Sequence, residues 1–398
     1  MKTEISKNIF WVGAVDWDLR HFHGHELSTH RGSTYNSYLI IDDKVTLIDT
    51  VWTPFANRLL ANIKEIIDPA KIDYVVAAHA EVDHSGALPT IMRHCPRAEV
   101  IVSQRGIESI PRHYREPWPF KSVKTGDQLV LGENTLTFIE APMLHWPDNL
   151  LTYASAGDIL FSSDAFGQHF AASGRFNDEV DTIALFAEAE KYYANILTPF
   201  SSMVSRKIQE ILALNLPLKM IAPSHGLIWR DNPAQIVTKY QEWAAQQPAE
   251  DAVIVYDTMW YATRLMAEAI GEGLTTAGVP YKIFNSANSD RNDIITEVFR
   301  SKAIVLGSPT FNQGILPTLS PVLTDIKGLK FKNKIGAAFG TYGWSGESLS
   351  LLENHLNESG ISTVVPGVKA KWQPDQADLD ACRNLGLALG AIVKNKPV

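Results

Sequence analysis

The stretch HAEVDH, residues 79–84, crowds two histidines, a glutamate and an aspartate into six positions directly after the apolar run IDYVVAA. Three more groups of the same kind follow later apolar runs: His145 in MLHWPDN, Asp164 in FSSDAFG and His225 in APSHGLIW. Imidazole nitrogens and carboxylate oxygens are the usual protein ligands of transition metals. Singly, each residue has an ordinary explanation as a hydrogen-bonding, turn or capping residue. Together, His79, Glu81, Asp83, His84, His145, Asp164 and His225 form a set that unrelated loop residues do not produce. They predict a metal site on a rim where strand-end loops converge.

The elements that must carry these loops are legible as apolar runs. NSYLIIDDKVTLIDT reads as two antiparallel strands with a turn at Asp42-Asp43. DYVVAAHA, AEVIVSQ, DQLVLGENTLTFIEA, GDILFSSDAF and LKMIAPSHG read as further strands. Helical patterns fall near 54–67, 86–94, 183–195, 203–215 and 234–246. This mixture predicts two sheets with helices on their outer faces.

After the polar segment AAQQPAEDA (244–252), read as a linker, the rhythm becomes regular. Strands AVIVYD, YKIFN, KAIVLGSPT, NKIGAAFG and STVVPGVK alternate with helices at 263–277, 291–300, 319–328, 346–358 and 376–394. Each parallel strand needs a helical crossover, so the pattern predicts a doubly wound parallel sheet. The expected domains are 1–248 and 249–398. The ligand site of the second lies at the carboxyl ends of its strands.

Composition sets the outer bounds. A chain of 398 residues exceeds one ordinary core. Its 45% apolar and 20% charged residues are those of a globular protein. A net charge of −8 argues against a nucleic-acid surface. No apolar run reaches membrane-spanning length, and the N-terminus lacks a signal-peptide core. A reducing cytoplasm is the expected setting. The two cysteines, Cys95 and Cys382, form no CxxC pair, so thiolate metal sites are not expected.

HxxxDH followed by distant His, Asp and His resembles the metallo-β-lactamase superfamily, whose hydrolases carry HxHxDH and bind zinc. The resemblance implies an αβ/βα sandwich for the first domain. Here Glu81 stands where the second histidine would be. The exchange adds a negative charge and a hard oxygen donor, which suits iron or manganese better than a nitrogen-rich zinc site. Two metals bridged by Asp164 would make a non-haem di-iron centre.

Such a centre needs electrons, and the second domain resembles flavodoxin. Three loops at one sheet edge offer ligand groups. The first holds Thr258, Met259, Trp260, Tyr261, Ala262 and Thr263. The second holds Ser308, Pro309, Thr310, Asn312, Gly314 and Ile315. The third holds Thr341, Tyr342, Gly343, Trp344, Ser345 and Gly346. Hydroxyls, backbone N–H groups and a helix N-terminus can hold a phosphate, while the aromatics suit a flat ring. No GxGxxG follows the first strand, so FMN is expected rather than a dinucleotide.

The combination of STHRGSTYNSYLI, APMLHWPD, NDEVD, YYANILTPF, APSHG, YDTMW, GSPT and GWSGES resembles the flavodiiron proteins, or A-type flavoproteins, over essentially the whole chain. The likeness is greatest to the rubredoxin:oxygen oxidoreductase group. It implies one iron on His79, Glu81 and His145, a second on Asp83, His84 and His225, and Asp164 between them. It also implies His23 and Tyr193 close to the substrate pocket, and a head-to-tail homodimer or dimer of dimers. The chain stops at Val398 without CxxC pairs, so no rubredoxin module is expected. Electrons then come from a rubredoxin or a similar small donor, reaching FMN first. Reducing O₂ to two waters takes four electrons, two from the irons and two from the flavin; reducing two NO to N₂O takes two. O₂ is the expected substrate and NO the alternative at the same site. The remaining alternative is a zinc-dependent hydrolase, which Glu81 opposes.

Overall fold

The computed structural model describes residues 2–395, so residue 1 and residues 396–398 of the expected domains lie outside the described residues. The chain divides into two compact units, 1–193 with 200–244, and 194–199 with 245–398. The short segment 194–199 therefore belongs with the second unit, which the sequence did not signal.

In the first unit, a seven-stranded sheet runs Thr3–Ser6, Ile9–Trp11, Tyr38–Ile40, Val45–Ile48, Ile72–Val76, Glu99–Ser103, Phe120–Val123. Pairing is antiparallel up to Val45–Ile48 and parallel beyond it. The second sheet runs Gln128–Val130, Thr135–Glu140, Leu150–Ala154, Ile159–Phe161, Met220–Ala222, with only the last pair parallel. The two sheets share one apolar core. Trp11, Tyr38, Ile48, Val76 and Ile101 come from the first, Leu136, Phe138, Leu150, Phe161 and Ala222 from the second. Strand Thr135–Glu140 shows how: Leu136 and Phe138 are buried while Thr135 and Thr137 are not fully covered, the period of two that a half-buried strand requires.

Helix Gly106–Tyr114 was not legible in the sequence, because Pro111 lies inside it.

The second unit is an all-parallel sheet in the order Tyr281–Asn285, Ala249–Tyr256, Ser301–Gly307, Ile335–Tyr342, with Ser362–Thr363 and Val368–Lys371 both on the last. This is the doubly wound sheet the alternation predicts. Two details differ. Strand Ala249–Tyr256 begins inside the expected linker. The expected strand STVVPGVK is two short strands, since Pro366 has no N–H for a ladder. Helices Ala262–Thr276 and Gln376–Val393 approach closely: a Cβ on Gly386 would sit 2.1 Å from the Ile270 carbonyl oxygen, so glycine is required there. Among the described residues, no helix is long and apolar enough to cross a membrane.

Candidate metal centre and flavin cavity

Strands Ile72–Val76, Ile159–Phe161 and Met220–Ala222 each end a few residues before a candidate ligand: His79, Asp164 and His225. The last two strands are parallel neighbours, so their carboxyl ends share one edge. Leu150 N–H donates to the Ala78 carbonyl at 2.9 Å, tying the two sheets together beside His79.

All seven predicted residues meet in one cluster. Around Asp164 Oδ2 stand His79 Nε2 at 3.2 Å and His145 Nε2 at 3.4 Å, and Glu81 Oε2 is 3.3 and 3.4 Å from those two nitrogens. Around Asp164 Oδ1 stand His84 Nε2 at 2.9 Å and His225 Nε2 at 3.7 Å. Asp83 Oδ2 is 3.1 and 2.9 Å from those nitrogens. One carboxylate thus turns each of its oxygens to a different set of three candidate ligands.

The candidate ligands are held from behind. Ser163 Oγ lies 3.2 Å from His79 Nδ1, and His225 Nδ1 donates to the Thr34 carbonyl at 2.6 Å, which leaves each Nε2 to face the cluster. The buried Asp49 and Asp148 carboxylates accept the Ala78 and Ala80 N–H groups at 2.8 and 3.0 Å and so fix the HAEVDH loop.

The electrostatics are those of a closely packed ionic cluster. Burial pushes the Asp164 and Asp83 carboxyls up, but the surrounding imidazoles outweigh it and hold both well below the usual range. Glu81 is treated the same way by burial and by hydrogen bonds from His23 and His79, ending at about 2. Burial lowers His84, yet Asp83 and Asp164 carry it well above the ordinary histidine value. Burial dominates at His145, which is lowered.

Both Asp164 oxygens, Asp83 Oδ1 and His84 Nε2 are buried without a hydrogen-bond partner. Orphaned lone pairs at such short mutual distances fit metal ions between them, since an unpaired buried polar group is otherwise costly.

A cavity of about 520 Å³ opens over the cluster, lined by Leu19, Phe22, His23, Tyr35, Trp52, Glu81, Val82, Asp83 and Trp146 among others. His23 Nε2 donates to Glu81 Oε1 at 2.6 Å. Tyr193 is not in that lining. It is fully buried, its hydroxyl 3.1 Å from Ser201 Oγ and its ring against Tyr240 and Trp243. Its neighbour Tyr192 lies nearer the cluster, 5.3 Å from the His169 ring, which stacks 4.9 Å from His225. The helix Thr182–Tyr192 passes into a π-turn at Tyr193, and the sequence does not show which tyrosine that change of pitch turns inward.

In the second unit, the carboxyl edge of the sheet holds a separate cavity. Thr258, Met259, Trp260, Ala262, Thr263, Pro309, Thr310, Thr341, Tyr342, Gly343 and Trp344 line it as the loops predict. Trp372 and Gln373 complete it and were missed, since a lone Trp after a broken strand carries no loop signal. Tyr261, Ser308, Asn312, Gly314, Ile315, Ser345 and Gly346 stand outside the lining. Ser308 is buried and accepts the Leu316 N–H at 3.0 Å, and Tyr261 occupies the left-handed position before helix Ala262–Thr276. That helix has no side-chain cap, and the Thr258 hydroxyl is buried without a partner. Free first-turn N–H groups beside an orphaned hydroxyl fit a phosphate, and the aromatic walls fit a flavin ring.

Comparison with known proteins agrees with both units. Residues 34–226 match the ODP family beta lactamase model and residues 254–386 the flavodoxin model. The chain is 50% identical to a nitric oxide reductase of Moorella thermoacetica, over 97% of this chain and 98% of that one. It is 48% identical to the anaerobic nitric oxide reductase flavorubredoxin of Escherichia coli, over 97% of this chain and 81% of that one. Its fold superimposes on rubredoxin oxygen:oxidoreductase from Desulfovibrio gigas with a TM-score of 0.97 at 38% identity, covering 99% of each chain. The flavodiiron protein of Giardia intestinalis gives a TM-score of 0.94 at 33% identity, covering 100% of this chain and 99% of that one. With both domain types in this order and relatives of such identity over nearly their full lengths, the chain belongs to the flavodiiron protein family.

Proposed function

We propose that this flavodiiron oxidoreductase reduces nitric oxide to nitrous oxide at the site around Asp164, with reduction of O₂ to water as a second activity there. The observation that carries the reading is Asp164, whose two oxygens serve two ligand sets beneath one cavity. The expectation from sequence put O₂ first. The relatives at 50% and 48% identity are named nitric oxide reductases, and the one named for oxygen stands at 38%, which moves NO ahead.

Two NO, two electrons and two protons balance one N₂O and one water. When bound, FMN would supply stored electrons and two non-haem irons would supply the redox chemistry on the gas. The residues of the chain do the rest. His79, Glu81 and His145 would hold one iron, and Asp83, His84 and His225 the other. The aromatic and apolar lining at Phe22, Trp52, Val82 and Trp146 offers apolar surface suited to a small gas molecule. His23 holds a proton at Nε2 on the cavity wall, where the reaction consumes protons. In the second unit, Thr258 and the first turn of Ala262–Thr276 would take the FMN phosphate.

The reading takes the electron donor to be a separate small carrier of the cytoplasm; Cys95 and Cys382 are buried and neither belongs to a CxxC pair. Rubredoxin is the carrier to which the relatives' names point. A head-to-tail homodimer belongs to the same reading and is supported by the family resemblance. A hydrolase finds no support in oxidoreductase relatives or in Glu81. The test is anaerobic NO consumption beside O₂ consumption, with reduced rubredoxin, on protein loaded with iron and FMN. NO turnover with the higher kcat/KM is expected. Rapid O₂ turnover with no NO consumption would return O₂ to first place.

A further inference from the structure

The flavin cavity has no charged side chain in its lining, yet a carboxylate lies directly behind its wall residue Thr258. Asp257 follows strand Ala249–Tyr256 and is buried. Its N–H donates to the Gly307 carbonyl at 3.1 Å, which fixes it at the carboxyl end of the neighbouring strand Ser301–Gly307. Its Oδ1 accepts the Thr258 N–H at 2.7 Å, and its Oδ2 accepts the Thr318 hydroxyl. Thr318 belongs to the short turn Pro317–Leu319, just past the second flavin loop. One carboxylate thus ties the first loop to the second.

Asp257 has no cationic partner within 4 Å among the described residues. A buried carboxylate held by one N–H and one hydroxyl keeps much of its charge uncompensated. The site beside it fits a phosphate, which is itself an anion. Asp257 also takes the Thr258 N–H, so Thr258 is left to meet a phosphate through its hydroxyl, which is buried without a partner. A carboxylate in this place weakens the anion site that the uncapped first turn of helix Ala262–Thr276 offers. The hydrogen bonds alone do not call for it. An asparagine would accept the same N–H and meet the same hydroxyl without the charge. The charge is therefore the part that needs a function.

We propose that Asp257 is a positioning residue that sets the reduction potential of the bound flavin, its charge holding that potential down while its hydrogen bonds hold two loops together. The proposal rests on FMN occupying this cavity. Reduction of a flavin by two electrons and one proton leaves one more negative charge in the site, and a nearby carboxylate opposes that increment. A flavin of lower potential passes its electrons on more readily to the centre that consumes them. The same charge opposes the phosphate of FMN, and it does not oppose riboflavin, which has no phosphate.

The experiment uses the full-length chain as parent, Asp257→Asn and Thr318→Val. Flavin-free protein is titrated with FMN and with riboflavin by fluorescence, and the potential of the FMN-loaded protein is measured by spectroelectrochemistry. Asp257→Asn binds FMN about tenfold more tightly than the parent and riboflavin with unchanged affinity, and its flavin potential rises. Thr318→Val, at an exposed position, keeps the carboxylate and removes a donor that offsets its charge, so its flavin potential falls. A potential unmoved in Asp257→Asn, or one that moves the same way in both variants, would overturn the proposal and leave Asp257 as a loop tie only. Should Asp257→Asn fail to fold, Thr318→Val decides alone: a lower potential supports the proposal and an unchanged one overturns it. A parent chain that takes up neither flavin would overturn the FMN reading, and the proposal with it.

Discussion

His84 Nε2 lies 2.9 Å from Asp164 Oδ1, yet the two atoms make no hydrogen bond. Both atoms are buried. The same carboxylate holds its other oxygen 3.2 Å from His79 Nε2. Asp164 is thus the one residue on which both ligand sets depend.

Asp164→Ala should therefore cost more metal than any single histidine change. Iron per chain should fall below about a tenth of the parent value, whereas His84→Ala should keep the set around His79. Metal analysis of the purified variants checks this. Full iron in Asp164→Ala would remove the bridging role.

Glu81→His should convert a carboxylate-bearing set into a nitrogen-rich one and shift metal preference from iron toward zinc. Gas reduction should collapse while FMN stays bound, because every residue lining the flavin cavity lies in the second unit. Gas turnover at the parent rate in that variant would show that Glu81 does not determine the metal.

The two adjacent tyrosines should behave differently. Tyr192→Phe should alter NO turnover severalfold, because Tyr192 packs on His169 next to His225. Tyr193→Phe should leave turnover unchanged and cost about 1 kcal/mol of stability through its contact with Ser201. Steady-state kinetics with urea unfolding of both variants distinguishes them. The reverse outcome would place Tyr193 at the pocket.

Lys334 gives a pH prediction. Burial drives its ammonium down to about 7, although Asp251 opposes the shift, and its Nζ donates to the Phe299 and Ser301 carbonyls at 2.5 and 2.6 Å. Below pH 7 the charge is present folded and unfolded, and the burial penalty is full. As pH rises toward the unfolded value near about 10.4, the folded state has already lost the proton. The unfolded chain then binds more protons, so stability rises with pH over that window. Lys334→Met should flatten the rise, measured by urea unfolding at several values from neutral to alkaline pH. An unaltered slope would mean that Lys334 stays charged in the fold.

Cutting the chain ahead of Ala245 should release a second unit that folds and binds FMN, since its sheet and core are complete. A fragment beginning at Ala252 should bind FMN less well. It lacks the start of strand Ala249–Tyr256 and Gln246, whose Oε1 accepts the Lys332 N–H at 2.9 Å. Flavin fluorescence titration compares the two. Equal affinities would show that these residues do not support the cavity.

Residue chemistry and its spacing were enough to choose seven candidate ligands that the fold brings together. HAEVDH, HWPD, SSDAF and PSHG each join an apolar run to a metal-capable side chain, and an apolar run that ends in a turn marks a strand end whatever the tertiary context. The alternation after residue 249 announced a parallel sheet for the same local reason. What the sequence could not express were contacts between segments far apart in the chain. Which oxygen of Asp164 serves which set depends on two sheets meeting. Trp372 reaches the flavin cavity only because Val368–Lys371 pairs with Ile335–Tyr342 after a break at Pro366. Tyr192 packs on His169 beside His225 while Tyr193 packs on Tyr240 and Trp243, and hydrophobic periodicity does not record which of two adjacent tyrosines turns which way. Segment 194–199 joins the second unit through bonds such as Gln246 Nε2 to the Thr198 carbonyl, a pairing across 48 residues that only the folded backbone brings together.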